Sequence, residues 1–180
     1  LKKEDVLKLK EIMEEYYNGN EFFNSYSCIG STTCNVGILD TPPILDYIFK
    51  YFENPEKREL TNYLPQIKIA GCPNSCATPQ IARLGFSGRR KKDGEYFAIF
   101  ARGKFDDKVV KLNEIIGEIK ATKIPYFLEA IANIIKAENI EFEQLVNENR
   151  FIELIEKYKE FELEAIDFND FRNADAKRAW

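Results

Sequence analysis

The residues best suited to chemistry are four cysteines, grouped as CIGSTTC (residues 28–34) and GCPNSC (residues 71–76). The first pair reads Cys-x5-Cys and the second Cys-x3-Cys, and the chain of 180 residues has no other cysteine. Histidine is absent altogether. That excludes a mixed cysteine–histidine zinc site, a Ser-His-Asp triad, an imidazole acid or base and a His-ligated haem. Chemistry must run on thiolates, Lys, Arg, carboxylates, hydroxyls or a bound cofactor.

Four readings of the cysteines compete. Two disulfides suit a secreted chain, and no charged-then-apolar leader is visible here. Inert buried cysteines are a second reading. Structural zinc, the third, uses pairs two to four residues apart because both sulfurs must meet one tetrahedral ion, and CIGSTTC is too wide for that. An iron–sulfur cubane, the fourth, takes one thiolate per iron from four cysteines. Small neighbours (Gly30, Ser31, Gly37, Ala70, Gly71, Ser75, Ala77) would let backbone N–H groups approach its sulfides. Pro73 suits the first turn of a helix whose positive end would face an anionic cluster. The residues alone favour a cluster held by four cysteines and leave the other readings open.

The elements that must position these sulfurs follow from pattern. Residues 4–17 carry Val6, Leu9, Met13 and Tyr16/Tyr17 at helical spacing. Thr41 reads as the cap of a helix with Pro42 and Pro43 in its first turn, running to Asn54-Pro55. Residues 64–70 alternate as a strand entering Gly71-Cys72. Further strands are expected at 84–88 and 95–102, joined by GRRKKDG as a hairpin turn. Segments 108–118, 124–137 and 141–160 have helical patterns. Together these predict one α+β domain over residues 1–160, a mixed or antiparallel sheet with flanking helices and a helical C-terminal segment. Residues 161–180 read as a peripheral tail.

Composition agrees: 44% hydrophobic and 13% aromatic residues support a real core, and 31% charged residues a solvated surface. A net charge of -4 argues against a general nucleic-acid binder. No window approaches the roughly 18 apolar residues of a membrane span, so a cytoplasmic location with no membrane partner is expected.

The text around the cysteines resembles the sirohaem-dependent nitrite/sulfite reductases. SCIGSTTCNVGILDT is similar to the first half of that family's cluster motif, and LPQIKIAGCPNSC to the second half. IARLGFSG resembles the following strand, and EIKATKIPYFLEAI and ENRFIELIEKY the C-terminal helical segment. The resemblance covers roughly residues 25–160. It implies a 4Fe-4S cluster held by Cys28, Cys34, Cys72 and Cys76, with Cys76 bridging to the iron of sirohaem. It implies a six-electron reduction of sulfite or nitrite fed by ferredoxin or another low-potential donor.

An anionic substrate and a carboxylate-rimmed macrocycle need cations. Lys68, on the strand before Gly71, is the candidate facing substrate. Arg83, Arg89 and Arg90 are candidates for sirohaem carboxylates, whereas Lys91 and Lys92 read as a solvated hairpin tip. Asn74 and Thr78 are candidate polar contacts near the cofactors. The family also carries an upstream half with a Thr-x-Arg-Gln motif, so an upstream half-domain or second subunit is an expected partner. Where the family shows Gly-Gly after the 95–102 strand, this chain has Arg102-Gly103. The alternative function is a non-catalytic 4Fe-4S electron-transfer or sensing module without sirohaem.

Overall fold

The computed structural model describes residues 2–16, 20–105 and 108–160. Its centre is a five-stranded mixed sheet with spatial order β1-β2-β3-β4-β7. Strands β1 (Tyr26–Ser27), β2 (Ile67–Ala70) and β3 (Leu84–Lys91) run parallel, whereas β4 (Gly94–Ala101) and β7 (Glu114–Lys120) extend the sheet antiparallel. A small ribbon of β5 (Lys104–Phe105) and β6 (Val110–Lys111) stands beside it.

Strand alternation divides the sheet into two unlike faces. Ile67, Ile69, Leu84, Phe86, Phe97, Ile99 and Ile119 are all fully buried. They pack in one core with residues of three helices, α2 (Thr41–Glu53), α4 (Ile124–Glu138) and α6 (Asn149–Glu160). The short α3 (Pro55–Arg58) and α5 (Phe142–Asn147) complete the helical layer. Helix α1 (Lys3–Tyr16) forms as expected, with Val6, Leu9 and Met13 about half exposed. The opposite sheet face carries Lys68, Ser87, Arg89 and Tyr96, and the segment after Cys72 crosses part of it.

The α+β architecture is as expected, and several elements differ. Residues 108–118 form β6 and the start of β7 instead of a helix. Val109, Val110, Ile115 and Ile116 are β-branched and suit a pleated surface, and β7 supplies the partner that β4 would otherwise lack. Residues 141–160 are two helices, broken where Glu148 adopts an extended backbone (φ -85°, ψ 154°). The β3–β4 hairpin is tighter than GRRKKDG suggested: the strands continue through Lys91 and resume at Gly94, whose φ of 140° closes the turn. Arg89 and Arg90 are therefore strand residues. Thr41 is the first residue of α2, and Asp40 holds the cap position. Tyr17 and the tail 161–180 lie outside the described residues.

Candidate metal centre

Both cysteine segments meet at the ends of β1 and β2. Parallel pairing aligns Ser27 with Ile69, and the Cys28 N–H continues the ladder by donating to Ile69 O at 2.9 Å. Further along, Leu39 N–H donates to Gly71 O at 3.0 Å. The intervening loop folds on itself through Cys34 N–H to Gly30 O (2.9 Å) and Gly37 N–H to Cys34 O (3.0 Å). Gly30 needs its left-handed φ of 78°, and a Cβ there would lie 2.3 Å from the Asp40 carboxylate. That carboxylate also accepts from the Thr32 hydroxyl.

No helix begins at Pro73. Turn bonds occupy this segment instead, Ser75 N–H to Cys72 O (3.2 Å) and Thr78 N–H to Ser75 O (2.7 Å), with Ser75 and Thr78 both left-handed. A different helix brings its positive end to the sulfurs. Thr41, at the start of α2, places its hydroxyl 3.3 Å from Cys28 Sγ. Gly71 N–H donates to the same sulfur at 3.1 Å.

All four cysteines line one cavity of about 290 Å³, together with Tyr26, Ile29, Val36 and Asn74. The four are free thiols, and they differ in exposure: Cys72 is buried, Cys28 and Cys34 are half-buried and Cys76 is exposed. Among the described residues no three Cys, Asp or Glu side chains converge as ligands of a single ion must. Four cysteine sulfurs around a mostly apolar cavity are the donor set that an iron–sulfur cluster takes.

The family model described as "Nitrite and sulphite reductase 4Fe-4S domain" matches residues 18–161. The chain belongs to this family. Relatives include the sulfite reductase [NADPH] hemoprotein beta-components of Afipia carboxidovorans (30% identical over 125 residues, 64% of this chain and 21% of the relative). That of Nitrobacter winogradskyi is 31% identical over 110 residues, 60% of this chain and 18% of the relative. Among solved structures, the NirA protein of Mycobacterium tuberculosis shares the fold, with TM-score 0.51 and 23% identity over 68% of this chain and 24% of that one. The chain thus spans about a fifth of the length of these relatives.

Within this nitrite/sulfite reductase domain, the basic residues singled out by sequence go to different places. Lys68 lies on the open sheet face, its amino group 5.5 Å from the Tyr26 ring centre. Tyr26 OH lies 3.5 Å from Thr78 Oγ1. The Thr78 hydroxyl holds the Tyr26 phenol below its usual pKa; partial burial opposes this, and Lys68 adds to the lowering. Arg89 shares the face of Lys68, and its Nη1 is buried without a hydrogen-bond partner among the described residues. A carboxylate of a bound cofactor would satisfy that nitrogen.

Arg90 points to the other face and stands 3.6 Å from Glu95. Arg83 precedes β3 at the end remote from Gly71. It pairs with Glu143 (2.6 Å) and Glu21 (2.8 Å), and the Glu143 hydrogen bond raises its pKa further. Of the polar candidates only Asn74 lines the cysteine cavity; Lys68, Thr78, Arg83, Arg89 and Arg90 do not. Lys91 pairs with Glu118 near the exposed hairpin tip. Sequence reasoning missed Tyr26, although its place two residues before Cys28 put it on the strand leading into the site. No helix among the described residues is long and apolar enough to cross a membrane.

Proposed function

We propose that the chain is the cluster-bearing domain of a sirohaem-dependent sulfite or nitrite reductase, with Cys28, Cys34, Cys72 and Cys76 holding a 4Fe-4S cluster. The observation that carries this reading is that all four free cysteines line one cavity. Cys76, which the family resemblance assigns as the link to sirohaem, is the exposed one of the four, which supports it as the ligand that would reach a second group. When bound, the two cofactors would relay the electrons for six-electron reduction of a small anion. A ferredoxin-like or other low-potential donor feeds them.

The protein's own groups have narrower tasks. Lys68 brings positive charge to the open face, with Tyr26 and Thr78 beside it, and orients the anion. Arg89 holds a sirohaem carboxylate through its unpartnered nitrogen. Asn74 lines the cavity beside Cys72 and Cys76. Ile29 and Val36 add exposed apolar surface to the cavity wall. Chain upstream of this domain, or a second subunit, completes the pocket.

The engagement of Arg83 and Arg90 elsewhere supports a second reading, a 4Fe-4S electron-transfer or sensing module without sirohaem. Anaerobic preparation of the full-length protein, co-expressed with sirohaem synthesis, separates the two. About four irons and four sulfides plus one sirohaem per chain support the reductase; a cluster without sirohaem or sulfite turnover supports the module. Zinc in place of iron overturns both. Cys76→Ser is expected to abolish spectroscopic coupling between cluster and sirohaem, and retained coupling would refute the bridging assignment.

A further inference from the structure

We propose that Thr41 donates a hydrogen bond to the Cys28 thiolate and thereby sets the reduction potential of the cluster. This rests on the cluster reading above and concerns a residue to which that reading gives no role.

Thr41 is completely buried, although it opens a helix and carries a hydroxyl. A buried hydroxyl needs partners, and both partners here belong to Cys28. The Thr41 hydroxyl donates to Cys28 O at 2.7 Å and lies 3.3 Å from Cys28 Sγ. The Thr41 methyl faces Gly71. A Cβ on Gly71 would lie 3.3 Å from the Thr41 methyl, and a β-branched side chain has little χ1 freedom. Gly71 N–H reaches the same sulfur at 3.1 Å.

One hydroxyl carries one proton, so protonation of the sulfur decides where it points. A Cys28 thiol can donate its own S–H to Thr41 Oγ1 while the hydroxyl donates to Cys28 O. A thiolate ligand has no proton and accepts instead, and a small rotation of the Thr41 O–H serves it. The added electron of a reduced cluster is shared with its thiolates. A donor at Cys28 therefore stabilises the reduced form more than the oxidised form, as does the positive end of α2 beside it. The potential shifts by the difference in this bond's strength between the two forms, so a hydrogen bond of ordinary net strength sets an upper bound of about tenfold in the reduction equilibrium, 59 mV for one electron.

The test reconstitutes the full chain anaerobically as wild type, Thr41→Val and Thr41→Ser, counts iron and sulfide, and titrates each with dithionite under EPR. Equal iron is expected in all three. Thr41→Val should be harder to reduce by up to about tenfold, and Thr41→Ser should stay closer to wild type than Thr41→Val. After brief exchange into D2O, a deuteron coupled to the reduced wild-type cluster should be missing in Thr41→Val. A Thr41→Val cluster with wild-type potential and coupling overturns the proposal. Should Thr41→Val take up less iron, Thr41→Ala carries the same comparison, and a wild-type cluster lacking the coupled deuteron refutes the proposal without any variant. Wild type that assembles no cluster fails at the iron count, which marks failure of the underlying reading and of this inference with it.

Discussion

Cys76 is framed by Ser75 and Thr78, whose backbones sit at φ 58° and 52°. A β-branched residue in the left-handed region costs roughly 1–2 kcal/mol, which the turn bonds around Cys72–Thr78 must offset. Thr78→Gly removes that strain, loses only a 3.5 Å contact with Tyr26, and adds unfolded-state entropy of about 0.5–1 kcal/mol. The cluster-free variant is expected to gain up to about 1 kcal/mol in urea unfolding. A lower midpoint would mean that the Thr78 hydroxyl contributes more than its backbone costs. Arg89 presents the opposite imbalance, a buried guanidinium nitrogen with no partner among the described residues. Burying such a group unpaired is unfavourable, so Arg89→Met should leave the cluster-free chain as stable as before or more so. The same change should weaken sirohaem retention by about 1.5–3 kcal/mol, roughly 10- to 100-fold. The sirohaem-to-iron ratio after gel filtration measures it, and an unchanged ratio removes Arg89 from the cofactor site.

Gly85 shows how one element aims another. A Cβ at this point of β3 would stand 2.3 Å from Pro79 O and 2.6 Å from Pro79 Cβ, so the segment carrying Cys72 and Cys76 lies directly on the strand. That segment is also held by Ser87, whose hydroxyl donates to Cys72 O (3.1 Å), and by Asn113, whose amide donates to Pro79 O (2.9 Å) and Ala82 O (2.6 Å). Gly85→Ala must push backbone against backbone and is expected to cost about 1–3 kcal/mol in chemical unfolding. It should also lower iron uptake on reconstitution, because the loop moves with Pro79; full uptake would show that the loop adjusts independently of β3. The sequence made the cysteine positions, β2, the β3–β4 pairing and α2 legible, since local alternation and punctuation suffice for these. Residues 108–118 were misread because Val109, Leu112 and Ile116 recur at helical spacing, and nothing local tells of the open β4 edge that β7 fills. Nor does spacing tell that Thr41 turns its hydroxyl to Cys28, or that Arg83 faces Glu143 at the far end of β3. Both depend on contacts between segments distant in the chain.

Across the whole molecule, the hydrophobic core and the cysteine cavity occupy different parts of the fold. The largest fully buried side chains, among them Phe22, Phe52, Phe86, Phe97, Phe127 and Phe151, belong to the core between sheet and helices. The cysteine loops are joined to each other and to the sheet mainly by single backbone hydrogen bonds. A group bound by Cys28, Cys34, Cys72 and Cys76 would tie residues 28 to 76 into one closed loop. Closures of this length restrict the unfolded chain strongly, and any ligand bound only by the folded state stabilises it by mass action, about 4 kcal/mol at a thousandfold excess over its Kd. For a domain of this size that corresponds to roughly 8–16 °C in Tm. Stripping iron with a chelator under anaerobic conditions is therefore expected to lower Tm by that order while leaving far-UV circular dichroism almost unchanged. Hydrogen exchange should accelerate in residues 28–39 and 71–82 and remain slow in α4, β4 and the part of α2 beyond Thr41, whose buried contacts do not involve the cysteines. Loss of helical signal on iron removal would show the opposite, that the core cannot hold without the cluster and that binding and folding are one event.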